Sequence, residues 1–196
     1  MHPWLHFKTI TKHKLMVMKY CFSVGLYKQG LLHDLSKYAP SEFLVGCRYY
    51  QGDRSPNNAE REETGVSTAW LHHKGRNRHH YEHWVDYALD DDHVIMGARM
   101  PRRYVAEMVM DRISASRTYL GAGYTCQAPL RYYLKSKDKL WFVHPQTKKE
   151  LEGLLRILHD HGEKKALRYI RRVYLAGDRK RGRRRSGVAR KSGEKS

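Results

Sequence analysis

Helical spacing of apolar residues is the feature that most restricts what this chain can fold into. In PRRYVAEMVMDRISASRTYL, residues 101–120, the apolar positions recur on one face of a helix, with Val105, Met108, Ile113 and Leu120 as core candidates. The same period runs through FKTITKHKLMVMKYCFSVGLYKQG, residues 7–30, and stops at Gly30. A short helix starting near Leu31 then carries His33, Asp34 and Lys37. Pro40 and Ser41 restart the chain as a helix through SEFLVGCRYY. Residues 51–62 are polar and read as a loop. ETGVSTAWLHH and HHYEHWVDYAL read as two more helices with KGRNR as the break between them. Asp90–Asp92 and Pro101 look like helix starts, and GAGYTCQAP like a loop. In HPQTKKELEGLLRILHDHG, Thr147 and Glu150 have capping-box spacing and Gly162 is a stop. EKKALRYIRRVYLAG is a last helix. The expected fold class is all-α, with residues 1–177 as one helical domain and 178–196 as a disordered basic tail that can bury nothing.

Charge narrows the partners. The formal net charge is +18, of which the last 18 residues supply +8, so the body is basic as well, at +10. Anionic partners are favoured: phosphate esters, nucleotides, or nucleic acid held nonspecifically through the tail. Cys21, Cys47 and Cys126 are scattered and odd in number. That excludes a disulfide framework and a thiolate zinc site, and fits a cytoplasmic protein. The run LMVMKYCFSVGL is interrupted by Lys19 and too short to span a bilayer, so no membrane partner is expected.

Histidine is abundant and unevenly placed. Five of thirteen fall in HHKGRNRHHYEH, residues 72–83. In order, the chain offers His13, His33–Asp34, His73, His79–His80 and Asp111, on successive segments. Imidazole with carboxylate suits Mn, Fe, Ni, Co or Zn rather than Ca. Adjacent residues on a helix do not face the same way. His33 and Asp34 therefore make sense together at a dinuclear site, where the Asp bridges two ions and each His approaches from its own side.

The order His … His-Asp … His … His … Asp over successive helices resembles the HD superfamily, whose members are mostly metal-dependent phosphohydrolases with an all-helical fold. More closely, KHK, GLLHDLSKYAPSEF, AWLHHKGRNRHHYEHW, MPRRYVAEMVMD and HPQTKKELEGLL are similar to an uncharacterised bacterial and phage family of HD-like proteins, over about residues 5–176. The resemblance implies an HD-domain-like bundle that binds one or two divalent transition-metal ions. Its implied ligands are His13, His33, Asp34, His73, His79, His80 and Asp111. Asp34 would serve catalysis as the bridge, and Lys37, one turn on, would face substrate phosphate. His72 is expected at the surface or behind a ligand, since it cannot point inward together with His73 on one helix. His83 is expected to be structural, and Glu42, Asn77 and Trp84 to support or pack.

The implied activity is hydrolysis of a phosphomonoester, phosphodiester or nucleotide by a metal-activated water. Two other classes remain open. Four His and two Asp on this fold also form the ligand set of mixed-valent di-iron oxygenases such as the inositol oxygenases, which share the HD-x-x-K motif. The chain could instead be a non-catalytic nucleic-acid-binding module. The 73-to-79 spacing is much shorter than in HD-GYP phosphodiesterases and there is no GYP tripeptide, so nothing supports a cyclic dinucleotide.

Overall fold

The computed structural model describes residues 1–89 and 94–177. Eight α-helices follow in chain order: α1 (Pro3–Ser23), α2 (Tyr27–Leu32), α3 (Pro40–Arg48), α4 (Pro56–Thr64), α5 (Thr68–Arg76), α6 (Arg102–Leu120), α7 (Ala128–Ser136) and α8 (Pro145–Tyr169). One two-stranded antiparallel hairpin joins β1 (Val85–Tyr87) to β2 (Ile95–Gly97), with Asp86 opposite Met96. The fold is all-α. No described helix is long and apolar enough to cross a membrane. The helix start at Asp90–Asp92 and the tail at 178–196 lie outside the described residues.

Helix α6 is the centre of the structure, packed against α1 and α8. Residues 105–110 are all buried, as are Ile113 and Ser114, so this helix is enclosed around its middle rather than along one stripe. Val105, Met108 and Ile113 sit in the core; Leu120, read as a core candidate, is half exposed at the helix end. The α1 stripe is His6, Ile10, His13, Val17 and Cys21, spaced by three and four. It carries a histidine into the same layer as Val17 and Cys21. Leu151, Leu155 and Leu158 of α8 close the core from the other side.

Several local readings change. The 7–30 helix breaks at Val24–Leu26, where Gly25 takes a positive φ of 84°, and a new helix runs through Gly30. The polar 51–62 segment contains most of α4: Pro56 starts it, and a left-handed Gly65 ends it. Its buried Glu60 accepts the backbone N–H of Thr68, tying α4 to the next helix. HHYEHWVDYAL is not a helix. It is a 3-10 turn at Tyr81–Trp84 followed by β1, because Val85 and Tyr87 pair with β2. That pairing lets β2 run against the chain at Phe142–His144, where any side chain on Gly97 would collide with the Phe142 carbonyl. The N-cap of α8 is His144, whose ring accepts from Gln146 N at 3.0 Å. Thr147 instead accepts from Met100 N at 3.1 Å. Gly162 interrupts α8 with φ 75° and ψ 170°, as its role of stop implied.

Candidate metal centre

Seven side chains converge from five parts of the chain. His13 comes from the buried stripe of α1. His33 and Asp34 occupy the turn between α2 and the 3-10 helix Leu35–Tyr38. His73 lies one turn after Ala69 on the buried face of α5. His79 and His80 follow in the irregular 77–80 segment, and Asp111 projects from α6.

The turn overrides the expectation that His33 and Asp34 share a helix and face apart. His33 is extended (φ −52°, ψ 126°) and Asp34 is left-handed (φ 53°, ψ 25°), the one non-glycine with positive φ among the described residues. Aspartate tolerates that conformation better than most residues. Lys14 fastens the turn by donating to Leu31 O at 2.7 Å and His33 O at 2.9 Å. The two side chains then meet, with His33 Nε2 3.4 Å from Asp34 Oδ2. His79 and His80 likewise escape helical geometry, their ring centroids 4.1 Å apart, so both reach the cluster.

The oxygens of Asp34 divide the imidazoles. Oδ2 faces His33 and, at 3.9 Å, His13 Nε2. Oδ1 faces His73 Nε2 at 3.3 Å and His79 Nε2 at 3.4 Å. His80 Nε2 stands 3.0 Å from His73 Nε2. Asp111 Oδ1 lies 3.0 Å from His13 Nε2 and 3.8 Å from His33 Nε2, and its Oδ2 is 3.9 Å from His79 Nε2. Ligand atoms of His13, His33 and Asp34 fall within 4.8 Å of one another; so do those of Asp34, His73, His79 and His80. Asp34 belongs to both groups.

Carboxylates behind the rings orient them. Glu107 Oε1 takes His33 Nδ1 at 3.0 Å and lies 3.3 Å from His79 Nδ1. Glu42 receives His73 Nδ1 at 2.8 Å on one oxygen and His72 Nδ1 at 2.6 Å on the other. A proton held on Nδ1 leaves the Nε2 lone pair directed at the cluster. Asn77 donates to His73 O at 2.8 Å and to Ser36 Oγ at 2.7 Å. His72 therefore lies behind His73 through Glu42, and His83 bonds the Lys74 carbonyl at 3.2 Å. Glu107 was not anticipated. Its signal was available: it precedes Asp111 by four residues, on the same helical face.

The electrostatics suit a cation. Burial opposes the charge of Asp34, yet His33, Lys37 and His73 hold its carboxyl well below the usual range. Asp111 is held low too, with His13, His79 and His33 outweighing burial. Burial lowers the pKa of His33 and, with His79 and His73 beside it, of His80. Against burial, Asp34 and Glu42 raise His73, and Glu107 and Asp34 raise His79. Lys37 Nζ lies 2.6 Å from Asp34 Oδ2.

Buried polar atoms test whether an ion fits. Among the described residues, His13 Nε2, His33 Nε2, His79 Nε2 and Asp34 Oδ1 make no well-aligned hydrogen bond, although His13 Nε2 has Asp111 Oδ1 at 3.0 Å and Asp34 Oδ1 has His73 Nε2 at 3.3 Å. Leaving one such atom unsatisfied costs about 1–3 kcal/mol. Here four of them crowd together, as ligand atoms awaiting one or two cations would. Mixed imidazole–carboxylate sets in general suit first-row transition metals. These buried His, Asp and Glu groups can hold a metal ion.

No curated protein and no solved structure matches the chain. A family model, described as a family of unknown function (DUF5662), matches residues 2–157, which include every residue of the cluster. The chain belongs to that family.

Proposed function

We propose that the protein is a metal-dependent phosphohydrolase of the HD type, acting on a phosphate ester at a dinuclear centre. The observation that carries this reading is the division of Asp34: its two oxygens address two separate groups of imidazoles, as a bridging carboxylate does. A cavity of about 790 Å³ opens onto His13, Asp34, Lys37, His73, His80 and Asp111, large enough for a small organic phosphate. His13, His33, Asp34 and Asp111 would hold one ion, and Asp34, His73, His79 and His80 the other. The metal pair, when bound, supplies Lewis acidity and an acidified water for attack at phosphorus. The chain's own part is to fix and charge the site. Glu107 and Glu42 keep the imidazole protons on Nδ1, and Lys37 stands beside Asp34 as a cation for the phosphate.

The test begins with elemental analysis of the purified protein for a metal-to-chain ratio. Nitrophenyl phosphate, its bis ester and a nucleotide panel are then offered with Mn, Co, Ni or Fe. Turnover of an ester with metal bound supports the proposal. Bound metal with silence across the panel sinks it. Iron in the protein as isolated, with a mixed-valent paramagnetic signal and oxygen uptake, would put it among the HD-type oxygenases instead.

A further inference from the structure

Beyond the metal ligands, the cavity wall holds two guanidinium groups with an unusual setting. Arg112 directly follows Asp111 on α6 and is half-buried. Its Cζ sits 6.0 Å from the ring centre of Tyr132 and 5.8 Å from that of Tyr133, and its Nε is buried without a hydrogen-bond partner. Arg61 of α4, also half-buried on this wall, lies over Trp70 at 5.6 Å and bonds Asn58 Oδ1 at 3.0 Å. Among the described residues no carboxylate comes within 4.0 Å of either one; Glu82, on the same wall, interacts with both charges only from beyond that distance. Other arginines near an acid take it: Arg54 pairs with Glu62 at 2.8 Å, Arg117 with Glu163 at 2.8 Å and Arg156 with Glu152 at 2.7 Å.

A half-buried cation with no carboxylate in ion-pair contact is only partly compensated, and an aromatic face offsets only part of the remaining cost. The planar fork of arginine matches carboxylate and phosphate, and stacking on a ring fixes its plane in advance. We propose that the cavity is built for a substrate with two acidic ends: the phosphate at the metal ligands, and a second carboxylate or phosphate group clamped by Arg61 and Arg112. This rests on the phosphohydrolase reading for which end is attacked. Asp111 and Arg112 line the same cavity of about 790 Å³, so one small molecule can reach both ends.

Binding of non-hydrolysable probes tests it. Phosphonoacetate, 3-phosphonopropionate and 6-phosphonohexanoate are titrated calorimetrically into the Mn-loaded protein, each against the alkylphosphonate of the same chain length. At one length or more, the acid-bearing probe should bind at least about tenfold tighter, the size of a charge-assisted bidentate contact. Arg112→Gln and Arg61→Gln should each abolish that advantage with the metal-to-chain ratio of wild type retained. Arg112→Lys, which keeps the charge and guards against a misfolded glutamine variant, should lose most of it. An acid-bearing probe that binds no tighter at any length overturns the proposal, as does an advantage that survives either glutamine substitution. Failure of the hydrolase reading looks different: a protein that turns over no ester but keeps this selectivity retains the clamp, whereas hydrolysis of simple monoesters without the selectivity retains only the hydrolase.

Discussion

Glu107 Oε1 lies 3.0 Å from His33 Nδ1, and the same oxygen is 3.3 Å from His79 Nδ1. One buried carboxylate thus sets two imidazoles that belong to different ligand groups. Groups in this position typically change metal affinity 10–100-fold when removed. Glu107→Ala should weaken metal binding by about that factor in a chelator-competition titration, and Glu107→Gln, whose oxygen still accepts, by less. Wild-type affinity in Glu107→Ala would show that the carboxylate merely packs.

Metal removal should destabilise the fold. The Nε2 atoms of His13, His33 and His79 and Oδ1 of Asp34 are buried in the native state without a well-aligned hydrogen bond among the described residues, and an ion that binds only there adds stability by mass action. At a hundredfold excess over Kd the gain is about 2.7 kcal/mol, which in a chain of this size moves Tm by roughly 5–11 °C. Differential scanning calorimetry with Mn and then with excess chelator reads this directly. Coincident transitions would mean that no ion is held.

Lys37 would compete with a metal ion bound at Asp34 for the same oxygen. Its Nζ is 2.6 Å from Asp34 Oδ2, and Asp34 with Asp111 raises its pKa against the effect of burial, so it is charged at neutral pH. Lys37→Ala should therefore bind metal at least as tightly as wild type, yet lose about 10²-fold or more in turnover, if its role is to meet phosphate charge. A parallel fall in metal content and activity would make it a support for Asp34 rather than a substrate cation.

What was legible in the sequence follows from where periodicity rules. His13 lies in the three-and-four stripe of α1, and His73 one turn after Ala69, so ordinary helical spacing places both inward. The His33–Asp34 geometry was not legible. Its left-handed Asp34 depends on Lys14 binding two carbonyls from another helix, a tertiary contact that no local propensity encodes. The same holds for His79–His80, where β1–β2 pairing and a 3-10 turn replace the helix that HHYEHWVDYAL suggests. Helix α4 was hidden by its polar composition, since its buried face amounts to Ala59 and Glu60. Glu107 was visible in its spacing from Asp111, but a carboxylate amid VAEMVM reads as solvated unless the helix is known to be enclosed.

His6 gives a pH prediction away from the candidate metal centre. It is buried on α1 against α3, where any side chain on Gly46 would strike its ring. Burial, and then Lys37, lower its pKa from 6.5 to about 4. The neutral form is the one that fits, so its contribution is complete above pH 6.5. Between pH 6.5 and about 4 the unfolded chain binds a proton that the native state refuses, and stability falls with falling pH. His6→Gln should flatten the urea midpoint over that window relative to wild type while leaving neutral-pH metal content unchanged. An identical slope in both proteins would mean that His6 is not the group responsible.

Asp34 separates a metal centre from an ordinary buried ion-pair network most sharply. Its Oδ1 faces His73 and His79 and its Oδ2 faces His33 and Lys37, so it is the atom pair that both proposed ions would share. Asp34→Ala removes a ligand from each ion at once, so metal content should fall well below wild type and activity should vanish. Asp34→Asn keeps the shape and can still occupy the left-handed turn, but it loses the charge, so it should be nearly as impaired. His72→Ala is the matched control: His72 touches Glu42 rather than Asp34, and metal should be retained. A network without metal predicts a different pattern. Removing a buried charge partner there costs about 3–5 kcal/mol of stability, whether or not metal is present. Asp34→Asn with a full metal complement and an intact circular dichroism spectrum would take Asp34 out of the centre, and the bridging assignment with it.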